Sequence, residues 1–143
     1  MSAVPVVKDR HKIDPEVWNE SHAKLVKRAA SYPEVARIFV HPPIKKALCE
    51  WAGKKGAWLA KVRPYWGHTY HFHIRINCPA GNPNCKDQPP ARPADETGCG
   101  GELAYWMSEK PWGKPKPGVV IKPPPPIMMA ALPKQCRALV AVD

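Results

Sequence analysis

Two histidines one residue apart, His71 and His73, stand in the run Tyr70-His71-Phe72-His73-Ile74-Arg75-Ile76. Side chains alternate across a β-strand, so this spacing predicts Tyr70, Phe72, Ile74 and Ile76 on one face and His71, His73 and Arg75 on the other. The apolar face would anchor the strand to a core. The other would present two imidazoles side by side on a rigid element. A third, His68, follows Gly67 just before the run, so three of the six histidines fall within six residues. Neutral imidazole is a zinc ligand, and its ordinary pKa of about 6.5 lets it move protons near neutrality. The cluster therefore points to metal binding or acid–base chemistry. His-x-His alone is a weak signal, because half-buried, hydrogen-bonded histidines give the same pattern. A catalytic zinc takes three protein ligands and keeps one position open for water.

The segments before the histidines carry the signals of the elements that must hold them. Asp14-Pro15-Glu16 predicts a helix start, with an acidic N-cap and proline in the first turn. Trp18, His22, Leu25, Val26 and Ala29 continue it as an apolar stripe to about Ser31, with His22 a boundary residue. Val35 to Val40 reads as a short buried strand. A helix is expected from about Pro43 to Trp51, with Ile44, Ala47, Leu48 and Trp51 on one face and Gly53 closing it. Ala57 to Val62 suits another short helix. Tyr65 and Trp66 either line a groove for peptide or glycan or belong to the core.

Regular structure thins after Ile76. Residues 78–101 are rich in turn formers, and Glu102 to Trp106 reads as a short piece docked on the body. Residues 111–126, ending in Pro123-Pro124-Pro125-Pro126, predict an extended polyproline II spacer. Ile127 to Val142 turns apolar again, as a strap that returns to dock. The expected organisation is thus a body over residues 1–106 and a Pro-rich linker with its docking strap over residues 107–143.

The 143 residues suit one domain with a core, and 44% hydrophobic residues fit a globular protein, but 19 prolines are too many for a chain packed throughout. No run of apolar residues is long enough to span a membrane, and the first residues lack the apolar region of a signal peptide. The net charge of +10 suits an anionic partner, be it nucleic acid, acidic lipid or acidic wall polymer. The basic residues are scattered and no nucleic-acid motif is present, which weighs against a base-stacking nucleic-acid binder. Five cysteines leave one over. Cys78 and Cys85 bracket a turn-rich loop that a disulfide would close, contributing roughly 2.5 kcal/mol on the chain-entropy model. Cys49 and Cys99 could form a second bridge. Cys136 is then unpaired, which means a free thiol, an intermolecular bond or a partner in a further stretch of chain.

At this point the residues match a known family. The block Val62-Arg63-Pro64-Tyr65-Trp66-Gly67-His68-Thr69-Tyr70-His71-Phe72-His73-Ile74-Arg75 resembles the penicillin-insensitive murein endopeptidases. So do Arg37-Ile38-Phe39-Val40-His41-Pro42-Pro43, the segments from Cys78 to Pro90 and from Gly98 to Leu103, and the ending Leu132-Pro133-Lys134-Gln135-Cys136. The resemblance implies a zinc peptidase of the bacterial periplasm, in the lysostaphin and D-Ala-D-Ala metallopeptidase group, that cuts D-alanyl-meso-diaminopimelyl cross-links in peptidoglycan. It implies an α+β fold. It implies that His73 is a zinc ligand, with His71 and His68 beside the metal as catalytic groups. It supports the pairs Cys49–Cys99 and Cys78–Cys85, and in the family the last cysteine pairs near the mature N-terminus.

The family's other zinc ligands are a histidine and an aspartate seven positions later. Seven positions after His11, His22, His41, His68, His71 and His73 stand Trp18, Ala29, Leu48, Arg75, Cys78 and Ala80. The expectation is therefore the C-terminal half of such a domain: a small sheet flanked by helices, with a groove open where a first half would pack. Its zinc site is incomplete. The alternative function is an inactive remnant that binds anionic cell-wall polymer.

Overall fold

The hairpin of β1 (Val7–Asp9) and β2 (Lys12–Ile13) opens the fold, which is taken here from a computed structural model. It describes residues 4–53, 56–113, 123–126, 128 and 130. The chain divides between Gly113 and Lys114 into two units, and the fold below is that of the first. Cys136, most of the Pro-rich stretch and almost all of the expected strap lie outside the described residues.

Helix α1 (Glu20–Ala30) begins later than the sequence signals predict. Asp14 does not cap it. The Asp14 carboxylate accepts the Glu16 N–H at 3.0 Å and its carbonyl accepts the Trp18 N–H at 2.8 Å, which makes a turn. An aspartate serves such a turn as readily as an N-cap. The cap is Asn19: its side chain accepts the Ser21 N–H at 2.9 Å, and His22 Nδ1 accepts the Asn19 N–H at 3.2 Å. His22 is thus a capping residue, stacked on Trp18 with ring centroids 5.3 Å apart. Ala23, Val26 and Ala30 face the core, while Leu25 stays exposed.

Strand β3 (Val35–Val40) is the centre of a three-stranded sheet. Helix α2 (Pro42–Ala52) follows directly. Ile44 and Leu48 are buried as expected, but so is Lys45, while Trp51 is 37% exposed against Trp58. A 3₁₀ turn at Ala57–Lys61 leads into β4 (Val62–Pro64), which pairs parallel to β3 with Ile38 opposite Val62. Strand β5 (His73–Ile76) pairs antiparallel on the other side, with Ile38 opposite Ile74 and Phe39 opposite His73. Helix α3 (Gly101–Met107) closes the body and buries Leu103. The result is an α+β arrangement of small mixed sheets with three helices. Its core comprises Val26, Ile38, Val40, Leu48, Leu59 and Val62 among others.

The histidine strand is shorter than predicted. Pairing begins only at His73, so His71 lies in the segment that leads into it. Its apolar side is also not buried: Tyr70, Ile74 and Ile76 are 56%, 41% and 58% exposed. Only Phe72 packs partly on the core. The reason is position. Strand β5 is at the sheet edge, and helix α1 covers β3 rather than β5.

Two disulfides staple the periphery. Cys49–Cys99 ties α2 to the approach to α3, and Cys78–Cys85 closes the loop after β5. No helix among the described residues is long and apolar enough to cross a membrane.

Candidate active site

Antiparallel and parallel partners point to the same side of a sheet, so the register fixes what shares the face opposite the core. Phe39 stands between His73 and Arg63, and Arg37 stands opposite Arg75. Phe39 is the floor: its ring lies 5.6 Å from that of His73, 6.3 Å from that of His68 and 6.0 Å from that of Tyr65.

His68 is brought to this floor by a turn. Gly67 has φ +77°, a region that costs an L side chain strain, and the His68 carbonyl accepts the His41 N–H at 3.2 Å. His68 Nδ1 lies 2.7 Å from the Trp66 carbonyl. A carbonyl only accepts, so Nδ1 carries the hydrogen and Nε2 keeps the lone pair. The His68 ring is the hub: His71 is 5.1 Å away and His73 is 6.1 Å away, centroid to centroid. Burial holds the His68 pKa below the ordinary imidazole value, and His71 and His73 act in the same direction. The backbone bonds to Trp66 and Tyr65 oppose the shift. The three sequence-predicted histidines are therefore brought together, with a neutral His68 favoured. His71 also borders an apolar groove of about 430 Å³ lined by Trp18, Leu25, Tyr70 and Phe72.

Tyr65 and Trp66 are 43% and 52% exposed, which excludes the core reading. They continue the site as an aromatic wall, with Tyr65 5.4 Å from Trp106 and Trp66 6.3 Å from Trp112.

Sequence reasoning missed two groups behind the site. His41, 5% exposed, lies between the site and the first hairpin, with Nδ1 unbonded among the described residues and Trp112 5.6 Å away. Burial, then His68, push its pKa down. Lys45 is fully buried: Nζ donates to the Leu59 carbonyl at 2.7 Å and the Thr97 carbonyl at 2.6 Å. Burial pushes its pKa down to about 8, against the opposing pull of Glu102. Glu102 in turn accepts from Arg63 Nε at 2.9 Å, which links α3 to the strand beside Phe39. No signal in the sequence marks Lys45. A lysine in an apolar helix reads as a solvated position.

Among the described residues no group of three or more His, Cys, Asp or Glu is arranged to hold a metal ion. The donor set offers imidazoles and no neighbouring carboxylate. Zinc in a catalytic site needs three ligands converging on one point. These residues by themselves do not fit a complete zinc centre.

A small mixed sheet thus carries clustered histidines over an aromatic floor. Residues 1–141 match the family model of the penicillin-insensitive murein endopeptidases, and the chain belongs to that family. Relatives bearing that name occur in several bacteria. The protein from Haemophilus influenzae is 46% identical over 113 residues, which are 79% of this chain and 37% of the relative. That from Klebsiella pneumoniae is 44% identical over 137 residues, 94% of this chain and 46% of the relative. That from Salmonella paratyphi B is 43% identical over 134 residues, with the same coverage of 94% and 46%. The chain thus spans less than half the length of these curated relatives.

Proposed function

We propose that this chain carries the histidine-bearing part of a zinc-dependent murein endopeptidase that cleaves D-alanyl-meso-diaminopimelyl cross-links in peptidoglycan. One observation carries the reading: His71 and His73 gather around His68, at 5.1 and 6.1 Å, on the floor formed by Phe39. His73, on the rigid strand, is the zinc ligand of this chain. The remaining ligands, a histidine and an aspartate, come from outside the described cluster. Zinc in such a site supplies Lewis acidity and a water of lowered pKa. The chain's own contribution is proton handling: His68, held with Nε2 free, and His71 beside it accept and return a proton at the cut. The aromatic wall bounds one side of the cluster, with the Tyr65 ring 6.1 Å from that of His68. Two disulfides support an oxidising compartment, which is the periplasm in this reading.

A second reading has one observation in its favour. The net charge of +10 suits binding of anionic wall polymer without catalysis.

Elemental analysis and muropeptide release separate the two. The 143-residue chain alone should hold well under one zinc per molecule and release no product from cross-linked muropeptides. Supplying a polypeptide that bears the His-x6-Asp ligand pair should restore zinc and cleavage together, and His73→Ala should abolish both. Full zinc occupancy in the isolated chain would refute the incomplete-site argument. Rescue that survives His73→Ala would refute the role given to His73.

A further inference from the structure

Three arginines flank the Phe39–His73 row on the site face, and they differ in what holds them. Arg63 is bound by Glu102. Arg37 is engaged by the loop after β5: Nη1 donates to Gln88 Oε1 at 2.8 Å and Nη2 to the Pro89 carbonyl at 2.6 Å. Neither partner of Arg37 carries a charge. Arg75 stands directly opposite Arg37 across the ladder, is exposed, and has no carboxylate partner among the described residues. Like charges directly opposite on one face destabilise a strand pair, and an anion bound at Arg75 would offset that cost. Arg75 follows His73 by two residues on the same strand and face, a separation of about 6.8 Å.

We propose that Arg75 is a specificity-determining residue that binds a carboxylate of the substrate peptide next to the scissile bond. The inference rests on the murein endopeptidase reading above. In a D-alanyl-meso-diaminopimelyl cross-link, the leaving amine nitrogen is attached to a carbon that also bears a free carboxylate. With the reacting carbonyl at the histidine cluster, that carboxylate falls a few bonds further along, the offset from His73 at which Arg75 stands. A guanidinium offers a planar fork that takes a carboxylate through two parallel hydrogen bonds, which an ammonium does not. Arg37, tied back by Gln88 and Pro89, adds long-range charge and leaves the fork of Arg75 as the contact.

The test compares two synthetic cross-linked peptides by calorimetric titration of the folded chain. One has the free carboxylate beside the cross-link amide, and the other has it converted to a primary amide. The wild-type chain should bind the acid about tenfold more tightly than the amide, as a charge-assisted hydrogen bond implies. Arg75→Gln should weaken the acid alone and bring the ratio near one, and Arg75→Lys should restore it in part. Equal wild-type affinity for acid and amide would overturn the inference and needs no variant that must fold. An acid preference that persists in Arg75→Gln would overturn it too, and both results leave the murein reading standing. If the folded wild-type chain binds neither peptide, the inference is overturned, while the murein reading stands or falls with the complementation test above.

Discussion

Lys45 shows how one side chain can govern the support of a site it never touches. Its amine loses its proton at about 8 in the fold, against an ordinary value of 10.5 in the unfolded chain, because burial disfavours the charge. Between those values the unfolded state holds more protons, so stability rises with pH across that window and is flat, for this group, below it. The span corresponds to about 3 kcal/mol, at about 1.36 kcal/mol per unit. Urea unfolding followed from pH 7 to 11 should show this rise in the wild type and lose it in Lys45→Ala. That variant also leaves the Leu59 and Thr97 carbonyls without their donor and opens a cavity, so it should be less stable by about 2–4 kcal/mol at pH 7. Gly98 belongs to the same packing: at φ +73°, a Cβ there would meet Glu102 Oε2 at 2.9 Å. Gly98→Ala should therefore destabilise through both strain and crowding, as a lowered urea midpoint.

Among the elements, α3 depends most on covalent help. It is short, buries only Leu103, and is fastened by Cys49–Cys99 and the Arg63–Glu102 pair. Residues 49 and 99 enclose a far longer loop than 78 and 85, with sequence separations of 50 and 7. The chain-entropy model assigns the two bridges about 4 and about 2.5 kcal/mol. Replacing Cys49 and Cys99 by serine should thus lower the denaturation midpoint more than replacing Cys78 and Cys85, and should expose α3 to protease first. An equal loss from both pairs would mean that strain or residual structure, not loop closure, sets their worth. Strand β5 makes the opposite case. Ile76 is 58% exposed, so Ile76→Ser should change stability by no more than about 0.5 kcal/mol. A loss of several kcal/mol in urea unfolding would show that something covers this edge in solution.

At the scale of the molecule, charge and an open site face act together. A net charge of +10 should attract anionic polymers over a range that salt shortens. Retention on purified peptidoglycan should fall as ionic strength rises from about 0.01 to about 1 M, where the screening length shrinks from about 30 to about 3 Å. Recognition of a cross-linked peptide at the histidine cluster should fall less steeply, because it rests on the single ion pair proposed at Arg75 rather than on the whole net charge. Retention that ignores salt would remove the electrostatic account.

The sequence by itself determined the local chemistry: the histidine triplet, the central strand Val35–Val40, the helix behind it and the family. These follow from spacing, β-branched runs and capping residues that act over a few positions. Cys78 and Cys85 were legible as a pair for the same reason, since a turn-rich loop brings them together. The three-dimensional packing decided the rest. Asp14 makes a turn because Asn19 supplies a better cap with His22 reaching back. The alternation through Tyr70–Ile76 promised a buried face, yet burial depends on what lies above a strand, and an edge strand has less above it. Whether Tyr65 and Trp66 were core or wall was equally undecidable from adjacency. The solvation of Lys45 and the difference between Arg37, Arg63 and Arg75 are set by residues far along the chain. Gln88, Thr97 and Glu102 are those partners, and no local pattern encodes their approach.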